Sequence, residues 1–290
     1  MKPARPLLFS AALVSSACAA TGSPPVTATP KNAESNRWNL SLLPTGLTPN
    51  PTLEMTVFTE MTDAGRALPV ASPEQPMYYV AHSTGFHPMG TTVAGEHPPP
   101  AEELARILDR TLAARGFVPA QDSVHPPTLA LIYFWGSHNR LDSELALLFP
   151  ELQRQFILER ASLVGGKAWQ RKVEYMIDYG STPADHTTKL DYLSYQSNHD
   201  LYYVVVSAYR YDELAHNARH LVWRTTMTVN AQGVSMKESM APLIVTAGDY
   251  FGRATPEPAA LRRNVKRGTV DLGPLRVIEG NVSLPPESKE

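Results

Sequence analysis

The stretch Thr128-Leu-Ala-Leu-Ile-Tyr-Phe-Trp135 decides the fold class. It is almost continuously apolar, with β-branched and aromatic residues and no charge. Such a run marks a strand covered on both faces, and therefore a central one. Leu201-Tyr-Tyr-Val-Val-Val-Ser-Ala-Tyr209 is a second run of the same kind. Two buried strands require a sheet with other elements packed over it.

Working outward, Leu53–Phe58 and Met77–Ala81 are short apolar runs that predict strands. Pro98-Pro99-Pro100 stops any strand. Glu102 and Glu103 then open a helix, where acids suit the positive end of the dipole. Leu104, Ile107, Leu108, Thr111 and Leu112 share one helical face, and Arg115-Gly116 closes it. Leu221, Trp223, Thr225, Met227 and Val229 alternate with Val222, Arg224, Thr226 and Thr228, the pattern of a strand half exposed to water. Ser235 and Glu238 have the spacing of a capping box. Behind them Met236, Met240, Leu243, Ile244, Ala247 and Phe251 form an apolar stripe that ends at Gly252.

Between the two buried strands lies a helical block at about 140–198. Asp142 is its first cap. Leu145, Leu148, Phe149, Leu152, Phe156 and Leu163 keep helical spacing, with a kink or restart at Pro150. Gly165-Gly166 breaks the helix. Further helical pieces follow at Trp169–Ile177 and Thr187–Tyr195. The order is β-β-α-β, a helical insertion, then β-β-α. This predicts an α+β fold, a mixed sheet backed by helices as a two-layer sandwich.

The ends differ from this body. Lys2 and Arg5 precede the apolar run Leu7–Val14, and small residues follow, the order of a secretory signal peptide over 1–19. Cys18 is the single cysteine and sits where the peptide would be cut. The segment resembles the lipobox of bacterial lipoproteins, with Ser16 and Ala17 fitting and Ser15 standing where an aliphatic residue is usual. That resemblance implies a lipid on Cys18 and a membrane partner reached through it. The alternative is plain cleavage after Ala17-Cys18-Ala19, which discards the cysteine and secretes the chain. Either route leaves the folded body without a disulfide. Residues 20–52 read as a flexible tether, 53–253 as a single globular domain and 254–290 as an extended tail. Within the tail, Leu272–Ile278 could dock as an edge strand.

The formal net charge of −2 argues against nucleic-acid binding, which needs a basic face to neutralise phosphates. A helix ending Leu112-Ala-Ala-Arg-Gly-Phe117 leads into a strand, and Tyr203–Ala208 later precedes Leu221-Val222-Trp223-Arg224 and a closing helix. This layout, over about 77–135 and 200–252, resembles uncharacterised bacterial envelope lipoproteins whose domain has a mixed sheet like that of the N-terminal domain of TolB. The resemblance implies an envelope location, facing the periplasm from the outer membrane, and a non-enzymatic role. The helical insertion departs from that pattern and is where a function of this chain's own would sit.

Chemistry is sparsely marked. His216 and His220 are four apart with Asp212 and Glu213 before them, a spacing that zinc proteins use. Asn217 stands where a zinc protease has its glutamate, and a link between two strands favours solvated surface histidines. His82, His87 and His97 flank a loop with Gly85, Gly90 and Gly95 but match no ligand set. There is no nucleophile elbow and no phosphate-binding loop, since Gly165-Gly166-Lys167 lacks its spacing. Of Tyr202, Tyr203, Tyr209 and Tyr211, at least half should face the core. No catalytic, cofactor-binding or metal residue is assigned, and no cofactor. The leading expectation is a binding or structural accessory whose partner is an envelope protein or a cell-wall polymer. The alternative is a metal-dependent hydrolase using the loop histidines.

Overall fold

The structure, a computed structural model, describes residues 50–267 except 94, 95, 122, 123, 215 and 217. Cys18 and the stretch Leu272–Ile278 lie outside the described residues. The strands are β1 (Thr52–Met61), β2 (Met77–Phe86), β3 (Phe117–Pro119), β4 (Leu129–His138), β5 (Leu201–Arg210), β6 (Leu221–Asn230) and β7 (Ala259–Asn264). The helices are α1 (Asp63–Arg66), α2 (Ala101–Ala113), α3 (Ser143–Leu148), α4 (Pro150–Tyr179), α5 (Thr188–Ser197), α6 (Tyr211–Leu214) and α7 (Met236–Ala247). No helix among the described residues is long and apolar enough to cross a membrane.

All seven strands join one sheet in the order β3-β2-β4-β5-β6-β1-β7. β2 runs parallel to β3 and β4, and the other pairings are antiparallel. The fold is therefore α+β with a mixed sheet, and the two apolar runs of the sequence, β4 and β5, pair with each other near its centre. The expected tail contributes an edge strand, β7, upstream of the stretch proposed for that role.

One face of the sheet carries the main core. Met55 and Val57 of β1, Leu129 and Leu131 of β4, and Val204 and Val206 of β5 meet Leu104, Leu108 and Leu112 of α2 and Met240, Leu243 and Ile244 of α7. All are essentially inaccessible to water, and burying each such side chain contributes roughly 1.5–3 kcal/mol. The stripe Met236–Ala247 and Phe251 is buried as its spacing predicts.

The helical insertion folds onto the opposite face and adds a third layer over β1, β5 and β6. Ala161, Val164, Trp169 and Val173 of α4 form a second apolar cluster with Leu193 of α5 and Leu201 of β5. The Tyr192 hydroxyl donates to the Met55 carbonyl at 3.0 Å. α4 is broken where the glycine pair predicts, at Gly165 and Gly166, whose dihedrals are not helical. Gly166 has φ of 71°, a backbone conformation that favours glycine, and a Cβ there would crowd the Phe58 ring at 3.0 Å. Past the break the helix turns back beside its own first half: Arg154 is 3.2 Å from Glu174 and 3.0 Å from Asp178.

This third layer corrects the reading of β6. Its alternation predicts a half-exposed strand, yet Thr226, Thr228 and Asn230 are buried under the insertion. Part of this polarity is met inside the protein: the Thr56 and Thr228 hydroxyls bond at 2.5 Å across β1 and β6, and Asn230 Oδ1 accepts from the Gln232 amide at 2.9 Å. Conversely, the upstream stripe of the insertion stays open, with Leu145, Leu148, Phe149 and Leu152 exposed.

The capping box of α7 is complete. Ser235 Oγ accepts from the Glu238 amide at 3.3 Å, and Glu238 Oε2 accepts from the Ser235 amide at 3.2 Å. Arg267 closes over the same carboxylate, with Nη2 at 3.0 Å. Replacing Ser235 by alanine should remove one of these bonds and lower stability by about 1 kcal/mol. A urea midpoint equal to that of the unchanged protein would show that the cap does not hold the helix start.

Candidate functional site

The apolar run of β4 ends in four residues of different character, Gly136-Ser-His-Asn139, all buried. Polar side chains in that position need partners, and two segments supply them. The first is 87–91, which runs beside the strand end, together with Glu96. The Met89 amide donates to the Ser137 carbonyl at 2.7 Å, and the Asn139 amide to the Met89 carbonyl at 2.9 Å. Asn139 Nδ2 donates to the Thr91 carbonyl at 3.0 Å, and Ser137 Oγ to Glu96 at 3.1 Å. Gly90 allows this approach: at φ of 83°, a Cβ would stand only 1.9 Å from the Asn139 carbonyl oxygen.

The second segment is α4. His138 Nε2 lies 3.1 Å from Glu159 Oε2, and its ring meets the edge of Phe156 at 5.2 Å. One residue on, Arg160 is only 3% exposed. Its Nε donates to the Ser197 carbonyl at 2.9 Å and its Nη1 to the Asn139 carbonyl at 3.4 Å. Ser197 is also fixed by Trp169, whose Nε1 donates to its hydroxyl at 2.9 Å. Arg160 thus joins the end of β4 to the end of α5.

These elements enclose a cleft of about 740 Å³ between the insertion and the end of the sheet. Asn139, Arg140, Asn198 and Asp200 make its polar wall with Arg160, and Leu147, Phe156 and Ile157 its apolar wall. Asp200 is already engaged by Arg140, whose amide donates to Oδ1 at 2.7 Å while Nε stands at 3.4 Å. Burial pulls the Arg160 guanidinium down to about 10, against the opposing charge of Asp200. Burial first, and then the charge of Arg160, hold the His138 imidazole below its usual value, and Glu159 only partly offsets them.

The histidines singled out by sequence lie elsewhere. His216 Nδ1 is 2.7 Å from the Asp212 carbonyl and His220 Nδ1 is 2.5 Å from Glu213 Oε2, both exposed beside α6. His87 Nε2 is 3.0 Å from the Thr84 carbonyl, while His82 and His97 are exposed. Among the described residues, no three His, Cys, Asp or Glu side chains are grouped to hold a metal ion. Tyr202 and Tyr203 are buried on opposite faces, Tyr209 is half-buried and Tyr211 exposed.

Sequence reasoning expected a function of this chain's own in the helical insertion and did not single out Arg160, His138 or Asp200, which line or adjoin this candidate cleft. One signal was present. Arg160 falls between Phe156 and Leu163 on the apolar stripe, where a charge is out of place unless it is paired or aimed at something.

No protein-family model matches the sequence, and no characterised protein matches it. Among solved structures, a PelC dodecamer from Paraburkholderia phytofirmans is similar over 69% of this chain and 98% of that one, at 10% identity and a TM-score of 0.29. That score is too low to establish a shared fold.

The position of His138 gives the site a pH dependence. The unfolded chain takes up this proton near 6.5, and the folded chain only at lower pH. Between those values the unfolded state binds more protons, so stability falls as pH drops below about 6.5. A His138→Gln variant should lose less stability than the unchanged protein between pH ~7 and ~5. Parallel curves in urea titrations would show that His138 is not the group responsible.

Proposed function

We propose that this chain is a lipid-tethered protein of the bacterial cell envelope that works by binding, and that the cleft under its helical insertion is where it binds. The observation that carries the binding reading is the composition of that cleft. A concave site with one apolar wall and a few fixed polar groups from several elements is the usual form of a ligand site. Here β4, α4 and the turn before β5 each supply part of it. The envelope reading rests on the N-terminal pattern ending at Cys18 and on the resemblance to envelope lipoproteins. An envelope protein or a cell-wall polymer is the partner class this location offers. The metal-dependent hydrolase gains no support, since His216 and His220 each engage a separate acceptor.

Two measurements test this reading. In the source bacterium, Cys18→Ala should move the protein from the membrane to the soluble fraction, because the lipid would hang on that one sulfur. Unchanged partitioning would end the lipid-anchor reading. A photo-crosslinking residue placed at Ser143, on the cleft wall, should give discrete adducts in intact cells. The same residue placed at Lys237, exposed on α7, should not. No adduct at Ser143, or the same adducts at both positions, would overturn the binding reading.

A further inference from the structure

Resting on that binding reading, we propose that the cleft takes the free C-terminal carboxylate of a peptide with apolar last residues, held on Arg160. The starting point is a buried charge that no carboxylate touches directly among the described residues. A guanidinium carries five N–H donors in a rigid fork. Arg160 uses two of them, both on neutral backbone carbonyls, those of Ser197 and Asn139. Nη2 donates to no atom of the described residues, and the residue lines the cleft. The nearest carboxylate on the polar wall, Asp200, accepts instead from Arg140. A cation that is 3% exposed and has spare donors facing a cavity is arranged to receive an anion.

The rest of the cleft narrows the class of anion. Asp142 and Asp200 line it together with Arg140 and Arg160, so its own charges balance. A monoanion adds one negative charge against two aspartates, whereas a phosphate dianion adds two. The planar fork of Arg160 also matches a carboxylate, which accepts two parallel N–H bonds. Opposite the arginine, Phe156, Ile157 and the 83%-exposed Leu147 offer an apolar surface for the body of the ligand. Two side-chain amides, Gln153 and Asn198, line the space between. Asn198 donates its NH₂ to the Ser194 carbonyl, which leaves its oxygen to accept a peptide N–H. A simple alkanoate would make no use of these amides, and a peptide chain would. The volume, about 740 Å³, lies within the range of ligand pockets.

The test is isothermal titration of the purified full chain with acetyl-Ala-Leu-Phe as free acid, the same peptide as C-terminal amide, and decanoate. The acid should bind at least ~10-fold more tightly than the amide, the usual scale for losing a charged hydrogen-bond partner, and more tightly than decanoate. Arg160→Gln should abolish the difference between acid and amide, and Arg160→Lys should keep part of it, having the charge without the fork. Because Arg160 is buried and its replacement can unfold the chain, the comparison of acid with amide on the unchanged protein decides the matter alone. Equal binding of acid and amide, tighter binding of decanoate, or binding of none of the three would overturn the assignment. If none binds while Ser143 still gives adducts in cells, the ligand class is wrong and the binding reading stands. If both fail, both fall.

Discussion

β4, β5 and β6 bury side chains on both of their faces, and the arrangement of the rest of the chain follows from having to cover them. A sheet covered on one side only can alternate apolar and polar residues and let water hydrate the second face. Val204 and Val206 of β5 point one way and Tyr203 and Val205 the other, and all four are almost wholly buried. α2 and α7 cover one face. The other face needs a cover of its own, and the connection between β4 and β5 provides it. These two strands pair antiparallel along their whole length and could be joined by a short hairpin. The chain between them instead builds α3, α4 and α5 and lays them across the sheet.

Holding that cover in place takes specific contacts, because the second apolar cluster is much smaller than the first. The break at Gly165-Gly166 brings the middle of α4 down against Phe58, where a Cβ on Gly166 would crowd the ring. Trp169, Ser197 and the Leu193 carbonyl form a buried hydrogen-bonded chain joining α4 to α5. Arg160 ties both to the end of β4. Where such ties are polar, the neighbouring backbone carbonyls satisfy most of the exposed need. Thr56 and Thr228 do the same within the sheet, so the covered face is partly a hydroxyl-lined surface rather than a second oily core.

That mixture explains what could be read in the sequence and what could not. The continuous runs of β4 and β5 identified themselves as central strands because nothing but burial on both faces tolerates such sequences. α7 was legible to the residue at its start, since Ser235 and Glu238 satisfy each other through local geometry alone. β6 was misread because threonine is at once a good strand former and a polar residue. Alternation of Thr with apolar residues looks the same whether water or a hydroxyl on the next strand meets the second face. The apolar stripe of the insertion, which runs through α3 and α4, was seen but its environment was not. Leu148 and Phe149 keep helical spacing and yet remain exposed, while Arg160 on the same stripe is buried. Periodicity reports which residues share a face and says nothing of what that face meets.

The cleft lies where these two requirements collide. A strand covered on both faces must still end, and at its end backbone and side-chain polar groups pass from the sheet ladder to irregular chain. At β4 that passage occupies Ser137, His138 and Asn139, beneath helices rather than in water, so each must find a partner from another segment. Two neighbouring ionisable groups of α4, Glu159 and Arg160, face this point, and they are not equally served. Glu159 has His138 and Gln155. Arg160 has two carbonyls and, among the described residues, no carboxylate in direct contact. Burial and then the charge of Arg160 lower the proton affinity of His138 beside it, so the depressed imidazole and the buried cation belong to one crowded junction. A structural tie alone would be cheaper with a neutral donor such as glutamine, which does not carry a buried charge. Retaining a guanidinium there, beside open volume, makes sense when a carboxylate in direct contact arrives from outside the chain.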